Sequence, residues 1–491
     1  MTGLFSQFIL CHPSRLLALL MGACVAAAWV VTERILEPAS LIISLLLALA
    51  MPLALLFPRQ AFLSLLVIRN LVDIFSDTPL LSLGGFAFNL SSLLGLLMIA
   101  WGLWYFFRYW PIPTYRGNVA LILFILTAGM SAFGSLQPIR SIQEFIKFTN
   151  LALVFVFAYD YVRTRQDFHT LLSVLGISIV APAVLGTVQL LTGTGLSTDI
   201  QNRIFGTYGH PNVFAFALGL SINIWIVLIM LKNCARSPTS SRTSHAVVRV
   251  TKFTGRIPPW FIFSLLSILL LFTYTRGAWI GLTVSLALLG FRYARKTILA
   301  SVSIIALMWL SFPAINHTVE RATGFSLAHS QLVRRFSTDE DETSSWQWRL
   351  RSWQEVSVRF HDMPLFGYGI GTFVRIRENT ASYAHDLMLE AHNDYLRLAL
   401  EMGFVGLIGY VLFLLSILIR CLRASWSLSD PTVRKACFTT AAVTVAFLVM
   451  SISDNILHAT AVDWLWWALM GGTCALITVE SLQNKLAKTS L

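Results

Sequence analysis

Charge is scarce in this 491-residue chain. Only 12% of its residues are Asp, Glu, Lys or Arg, where a soluble domain carries roughly 25%. With 56% of the residues hydrophobic, the shortage excludes an ordinary soluble domain. Acidic residues are scarcer than basic ones, 24 against 36, for a formal charge of +12. That excess does not indicate a nucleic-acid partner. The basic residues collect in short loops between apolar runs, as membrane orientation requires. No Lys/Arg stripe interleaved with exposed aromatics accompanies them. Cysteine is also rare, with six in all. None falls in a loop assigned below to the outer face, so no disulfide framework is implied. Compact His/Cys ligand spacings are missing too: His385 and His392 are seven apart with no Cys beside them. No inverted internal repeat of the transporter kind is visible.

Long apolar runs fill most of the chain. About 20 apolar residues cross a bilayer as a helix. The chain therefore reads as one all-α polytopic integral membrane domain over residues 1–491, with about fourteen transmembrane helices (twelve to fourteen). The runs centre on residues 15–31, 39–57, 60–75, 88–107, 118–136, 145–161, 168–191, 211–231, 260–275, 277–291, 296–313, 399–419, 434–453 and 460–480. The first is expected to be a retained signal-anchor helix. The Ser/Thr-rich loop 232–259 carries six Lys or Arg and no Asp or Glu, so it is expected in the cytoplasm. Counting from it, both termini are cytoplasmic, and segments 137–144, 192–210, 314–398 and 454–459 face outward with a tight turn at Arg276. The large segment 314–398 is polar, with nine Arg and no Lys. Arg forks match phosphate and carboxylate geometry, so anionic ligands suit it. It looks poor in helix.

Three motifs fall on that outer face. Asn202-Arg203-Ile204-Phe205-Gly206-Thr207-Tyr208-Gly209-His210-Pro211-Asn212 precedes a span. Its Pro suits a helix start, whose free N–H groups with Arg203 nearby would hold an anion; the plain alternative is an ordinary Gly/Pro loop. Arg276 interrupts an apolar stretch from Trp260 to Phe291, too long for one span and right for two short ones hinged there. A charge so placed is rarely idle, although a snorkelling Arg is the simpler reading. His392-Asn393 stands just before another span, beside Glu390, Asp394 and Glu401. The His is suited to act as a base near neutral pH, or it is a hydrogen-bonded structural residue. Together, two Arg and one His fit displacement of a phosphate or diphosphate. The Arg residues would neutralise the leaving oxygen and the His would deprotonate an attacking hydroxyl. No metal or cofactor is required.

Weaker signals lie elsewhere. Asp339-Glu340-Asp341-Glu342 contains an Asp-x-Asp but reads as a solvated acidic loop. Gly367-Tyr368-Gly369-Ile370-Gly371 reads as a flexible turn. Arg69 and Asp73, four apart on one span, are expected to pair, either structurally or against substrate.

The ordered set Gly206 to Asn212, Thr275-Arg276-Gly277-Ala278, Arg349-Leu350-Arg351-Ser352-Trp353, Pro364 to Gly369, and His392-Asn393-Asp394-Tyr395-Leu396 with Glu401 to Gly406 resembles the O-antigen ligase and polymerase superfamily over residues 200–410. The resemblance implies a multi-pass enzyme of the bacterial inner membrane with its active site facing the periplasm. Such enzymes move glycan from an undecaprenyl-diphosphate carrier to lipid A–core (ligases) or to a growing glycan (polymerases). The chemistry it implies is metal-independent, inverting transfer in surface polysaccharide biosynthesis. Carried over, it assigns Arg276 and Arg203 to the diphosphate, Arg276 and His392 to catalysis, and His210, Asn212, Arg349 and Asn393 to supporting roles. A flippase or transporter of a lipid-linked saccharide is the alternative from another class. It would need charged residues along a path through spans that hold few.

Overall fold

The computed structural model describes residues 56–75, 81–83, 86–108, 118–197, 202–232, 259–295, 345–378 and 390–489. The expected spans at 15–31 and 296–313, all but the last two residues of 39–57, the loop 232–259 up to its end residues, the acidic run at 339–342 and His385 lie outside them. The described chain is almost wholly helical. In order it forms α1 (Pro58–Val72), α2 (Leu90–Arg108), α3 (Asn118–Phe133), α4 (Pro138–Tyr161), α5 (Arg165–Ile177), α6 (Val180–Thr192), α7 (Pro211–Lys232), α8 (Pro259–Phe272) and α9 (Arg276–Tyr293). There follow α10 (Ser345–Ser357), α11 (Phe373–Glu378), α12 (Asp394–Ser427), α13 (Pro431–Met450) and α14 (Thr460–Thr489). Two short antiparallel hairpins interrupt them: β1 (Leu81–Leu83) with β2 (Phe86–Phe88), and β3 (Leu196–Ser197) with β4 (Asn202–Arg203).

Helix starts follow local chemistry. Prolines stand in the first turn of α1, α4 and α13, where a missing N–H costs nothing. Thr164 and Asp167 form a reciprocal capping box on α5. Asp430 and Asn393 accept backbone N–H groups at the starts of α13 and α12. Among the described residues, seven stretches are long and apolar enough to cross a membrane: α2, α4, α5 with α6, α7, α12, α13 and α14. Val119–Phe133 and Phe261–Phe272 are shorter apolar helices. This is an all-α membrane protein.

The bundle is built around α14, whose apolar stretch is 89% buried, against 33% for α2. It runs along α4, and a Cβ at Gly471 would collide with the Phe155 backbone carbonyl, so glycine permits the close approach. Stacked pairs tie the neighbours on: Phe413 with Trp467 at 5.0 Å and Phe447 with Trp466 at 4.4 Å.

At one end of the bundle, Arg165 bridges Glu480 and Asp430, while Arg59 holds Asp167 at 2.8 Å. The other end gathers the turns 134–137, 193–197, 202–210, 273–275 and 451–459 with α10 and α11. These are the segments expected to share a face. The expectation of little helix in 314–398 needs correction for its described part, where α10, a 3-10 turn at Val358–Phe360 and α11 enclose Val356, Phe373 and Ile376. The glycine run is not a free turn either. Leu136 N donates to Tyr368 O (3.0 Å), Tyr368 N to Leu400 O (2.9 Å) and Gly369 N to Glu401 O (3.0 Å). The run is thereby wedged between α3, α4 and a break in α12 at Gly403, where φ is 70°. Its fixity comes from partners far off in sequence, which a local reading of glycine does not see.

Candidate active site

The site begins with the turn before α7. Gln189 on α6 accepts from Phe205 N (2.9 Å) and Gly206 N (2.8 Å) and donates to Gly206 O (3.1 Å). From the other side, Tyr208 Oη donates to Asn70 Oδ1 at 2.8 Å and Thr207 Oγ1 to Asn70 O at 2.6 Å. A turn so clamped delivers Arg203 and Asn212 to fixed positions. The hinge between α8 and α9 is Thr273–Thr275, with Tyr274 at φ 51°, and Arg276 opens α9. Arg203 locks this hinge: its Nε donates to Thr273 O (2.8 Å) and its Nη2 to Asn212 Oδ1 (2.8 Å) and Thr275 Oγ1 (3.1 Å).

His392 arrives from the other direction. Trp353 on α10 donates through Nε1 to Ala391 O at 2.7 Å, seating α10 on the residue before it. Asn393 then caps α12 by accepting from Leu396 N at 3.0 Å, so the described role of this supporting candidate is a helix cap. His392 itself has φ 45°, a left-handed conformation that costs a non-glycine residue of order 1 kcal/mol or more. Strain of that kind persists where surrounding contacts enforce it.

The residue that joins these pieces is Asp454. Its Oδ1 accepts from Asn212 Nδ2 at 3.0 Å and lies 3.5 Å from His392 Nδ1. A Cβ placed on Gly277 would stand 2.9 Å from Asp454 Oδ2, so the start of α9 abuts the same carboxylate. Asp394 fixes the loop that carries it, accepting at Oδ2 from Ser451 Oγ (2.9 Å), Ile456 N (2.9 Å) and Leu457 N (3.3 Å). Sequence reading missed Asp454. The signal was available: it is an acidic residue at the end of an apolar run, in spans otherwise poor in charge.

The structure thus brings Arg203, His210, Asn212, Arg276, Arg349 and His392 to one cluster around Asp454. Arg349 lies within electrostatic reach of both Asp454 and Arg276, and burial lowers its guanidinium from the usual range. His210 Nδ1 accepts from Asn212 N at 3.1 Å. Its imidazole is pushed down to about 4, by desolvation first and the Arg203 charge second. Among the described residues no carboxylate or hydrogen-bond acceptor is set against the Arg276 guanidinium. Three guanidinium groups thus share this cluster with the Asp454 carboxylate: Arg349 within its electrostatic reach, Arg203 joined to it through Asn212, and Arg276 within reach of Arg349. An excess of positive charge beside a His–Asp pair can hold an anionic leaving group and deprotonate a hydroxyl.

The site and bundle define a class: a multi-pass membrane protein that gathers Arg and His side chains around one carboxylate at one end of its helices. Residues 261–411 match the model of the O-antigen ligase family, so this part of the chain carries that family's domain. The match takes in Arg276, Arg349 and His392 and leaves Arg203, His210, Asn212 and Asp454 outside it. A curated Rickettsia typhi protein named "Putative polysaccharide ligase" is 22% identical over 372 residues, which cover 74% of this chain and 79% of that protein.

Proposed function

We propose that this chain is a glycosyltransferase of surface polysaccharide biosynthesis. It moves a glycan from an undecaprenyl-diphosphate carrier to a sugar hydroxyl on lipid A–core, at the periplasmic face of the bacterial inner membrane. The single observation that carries the reading is that Arg276, against which no acceptor is set among the described residues, lies within electrostatic reach of Arg349, which in turn reaches the Asp454 that stands by His392. The O-antigen ligase domain over residues 261–411 and the relative's name support it.

In this mechanism Arg276 and Arg349 bind the diphosphate, and Arg203 shares that role while holding the hinge. Asp454 accepts from His392 Nδ1–H and leaves the Nε2 lone pair for the acceptor hydroxyl. As the hydroxyl oxygen attacks the anomeric carbon, its proton passes to His392 and the bond to the diphosphate oxygen breaks. The charge released on that oxygen is met by the Arg groups. Direct displacement inverts the anomeric centre, and no metal takes part.

The test is product analysis in vesicles holding the purified protein and undecaprenyl-diphosphate-linked oligosaccharide, with EDTA present and lipid A–core added to half the samples. Glycan on the core is the expected result, abolished by Arg276→Ala. A ladder of longer carrier-linked glycans without core would make the protein a polymerase instead. No covalent product from sound substrates would overturn the reading.

A further inference from the structure

A polar cavity of 460 Å³ opens at the same end of the bundle as the His392 cluster, between α1, α2, α4 and the start of α14. Its size lies within the roughly 300–1,000 Å³ of small-molecule sites. The Arg69 and Asp73 singled out in the sequence line it, and both are already engaged. Arg69 pairs with Asp73 and donates to Thr460, and Asp73 also faces Ser91. Lys147, on the opposite wall, is paired with Glu144. The cavity's cations are thus compensated within the protein, unlike Arg276. What remains is neutral hydrogen-bonding capacity: Gln143, Asn150, His458 and the lone pairs of Ser92, whose hydroxyl proton goes to Asn89 Oδ1 (2.8 Å), set among the apolar walls Leu96 and Trp464.

Two of those groups point to an occupant. Asn150 is 4% exposed, yet its Oδ1 has no partner among the described residues. His458 Nε2 is buried and equally unpartnered. Buried polar atoms left unmade cost free energy and are normally satisfied. Balanced charge, neutral donors and acceptors and an aromatic wall suit a hydroxyl-rich ligand better than an anion. His458 also links the cavity to the reaction site. Its Nδ1 lies 3.7 Å from Glu390 Oε2, which accepts from Asn455 Nδ2 at 3.2 Å, next in sequence to Asp454.

We infer that this cavity is a saccharide-binding subsite, holding a neutral sugar ring on Asn150, Ser92 and His458 beside the His392 centre. The sugar comes either from the acceptor or from the glycan of the donor.

The first arm of the test needs no catalysis. Leu96 lines the cavity and is 39% exposed, so Leu96→Cys supplies a thiol reporter there. In purified full-length protein its rate of modification by a methanethiosulfonate reagent is measured, with that of the parent subtracted. Glucose, N-acetylglucosamine and maltose are the saccharide probes and inorganic pyrophosphate is the anionic one. Saccharide is expected to slow labelling by about tenfold at saturation and pyrophosphate to leave it unchanged, with protection lost in Asn150→Leu and weakened in the milder Ser92→Ala. Protection by pyrophosphate alone, or by none of the probes, would overturn the assignment. The second arm rests on the transferase reading. There Ser92→Ala and Asn150→Leu are expected to raise one KM by about three- to tenfold with kcat nearly unchanged. A raised acceptor KM identifies the acceptor sugar, and a raised donor KM the donor glycan. A fall in kcat with both KM values unchanged would show a merely structural role. Should transfer itself be absent, the labelling arm still decides the subsite.

Discussion

At the scale of single residues, the chemistry turns on how Asp454 is shared. One carboxylate oxygen serves both Asn212, which orients Arg203, and His392. Asp454→Asn keeps the volume but removes the charge that attracts the His392 N–H. We expect kcat to fall by about 10²-fold, with expression intact. In a His392→Ala background the same change is expected to add little, because the two residues act as a unit. Full additivity in that double-mutant cycle would separate them. His210 gives a prediction of the opposite kind. Its folded-state value, about 4, lies below the ordinary imidazole value of about 6.5. The fold therefore favours the neutral ring. The stability that this lends is present above about pH 6.5 and is lost as pH falls toward about 4. The residue keeps an exposed edge, so solvent screening moderates the effect. Thermal unfolding in detergent from about pH 7.5 down to about 4 should show a shallower acid decline for His210→Asn than for the parent.

At the scale of elements, the break in α12 matters most. Gly403 takes φ 70° inside a 34-residue helix, and a Cβ there would strike the Leu365 carbonyl. The break frees room for the Gly367–Gly371 run, and just beyond it Phe373 N, at the start of α11, donates to Glu401 Oε1 (3.0 Å). Arg397 completes the joint, fully buried between Glu401 (3.1 Å) and Glu144 (3.2 Å). Removing the cation alone would leave the buried Glu401 carboxylate without its counter-ion and Glu144 with Lys147 alone. Arg397→Leu is expected to cost about 3–5 kcal/mol. Gly403→Ala, which adds a clash with the Leu365 carbonyl to the strained φ, should cost more than the about 1–3 kcal/mol of backbone strain alone. Melting of the detergent-solubilised variants checks both; a harmless Arg397→Leu would show that the triad carries little.

At the scale of the whole molecule, the apolar runs that fall on described residues became helices. The run 168–191 divides into α5 and α6 at Ser178 and Ile179, and the Arg276 hinge falls where the excess length of its run required. Arg203, Arg276 and His392 stood out in the sequence because each is a charge or imidazole at the edge of an apolar run. What was not legible depends on contacts between distant segments: the Asp394 clamp on the Asp454 loop, the fixed glycine run, and the cavity around Asn150, whose side chain is silent in a sequence. Direction across the membrane is a separate matter. The basic loops set the two ends apart, and the positive-inside rule assigns the Arg165–Glu480 end to the cytoplasm. A lipid-linked donor on the periplasmic side requires that assignment. Thr194 and Gln166 are exposed at opposite ends of the α5–α6 pair, and Cys421, Cys437 and Cys474 are buried. In intact spheroplasts, a membrane-impermeant maleimide should label Thr194→Cys above the parent's level at once. Gln166→Cys should react only after permeabilisation. The reverse pattern would put the His392 site in the cytoplasm, where a metal-free displacement from a periplasmic carrier has no substrate, and the transferase reading would fail with it.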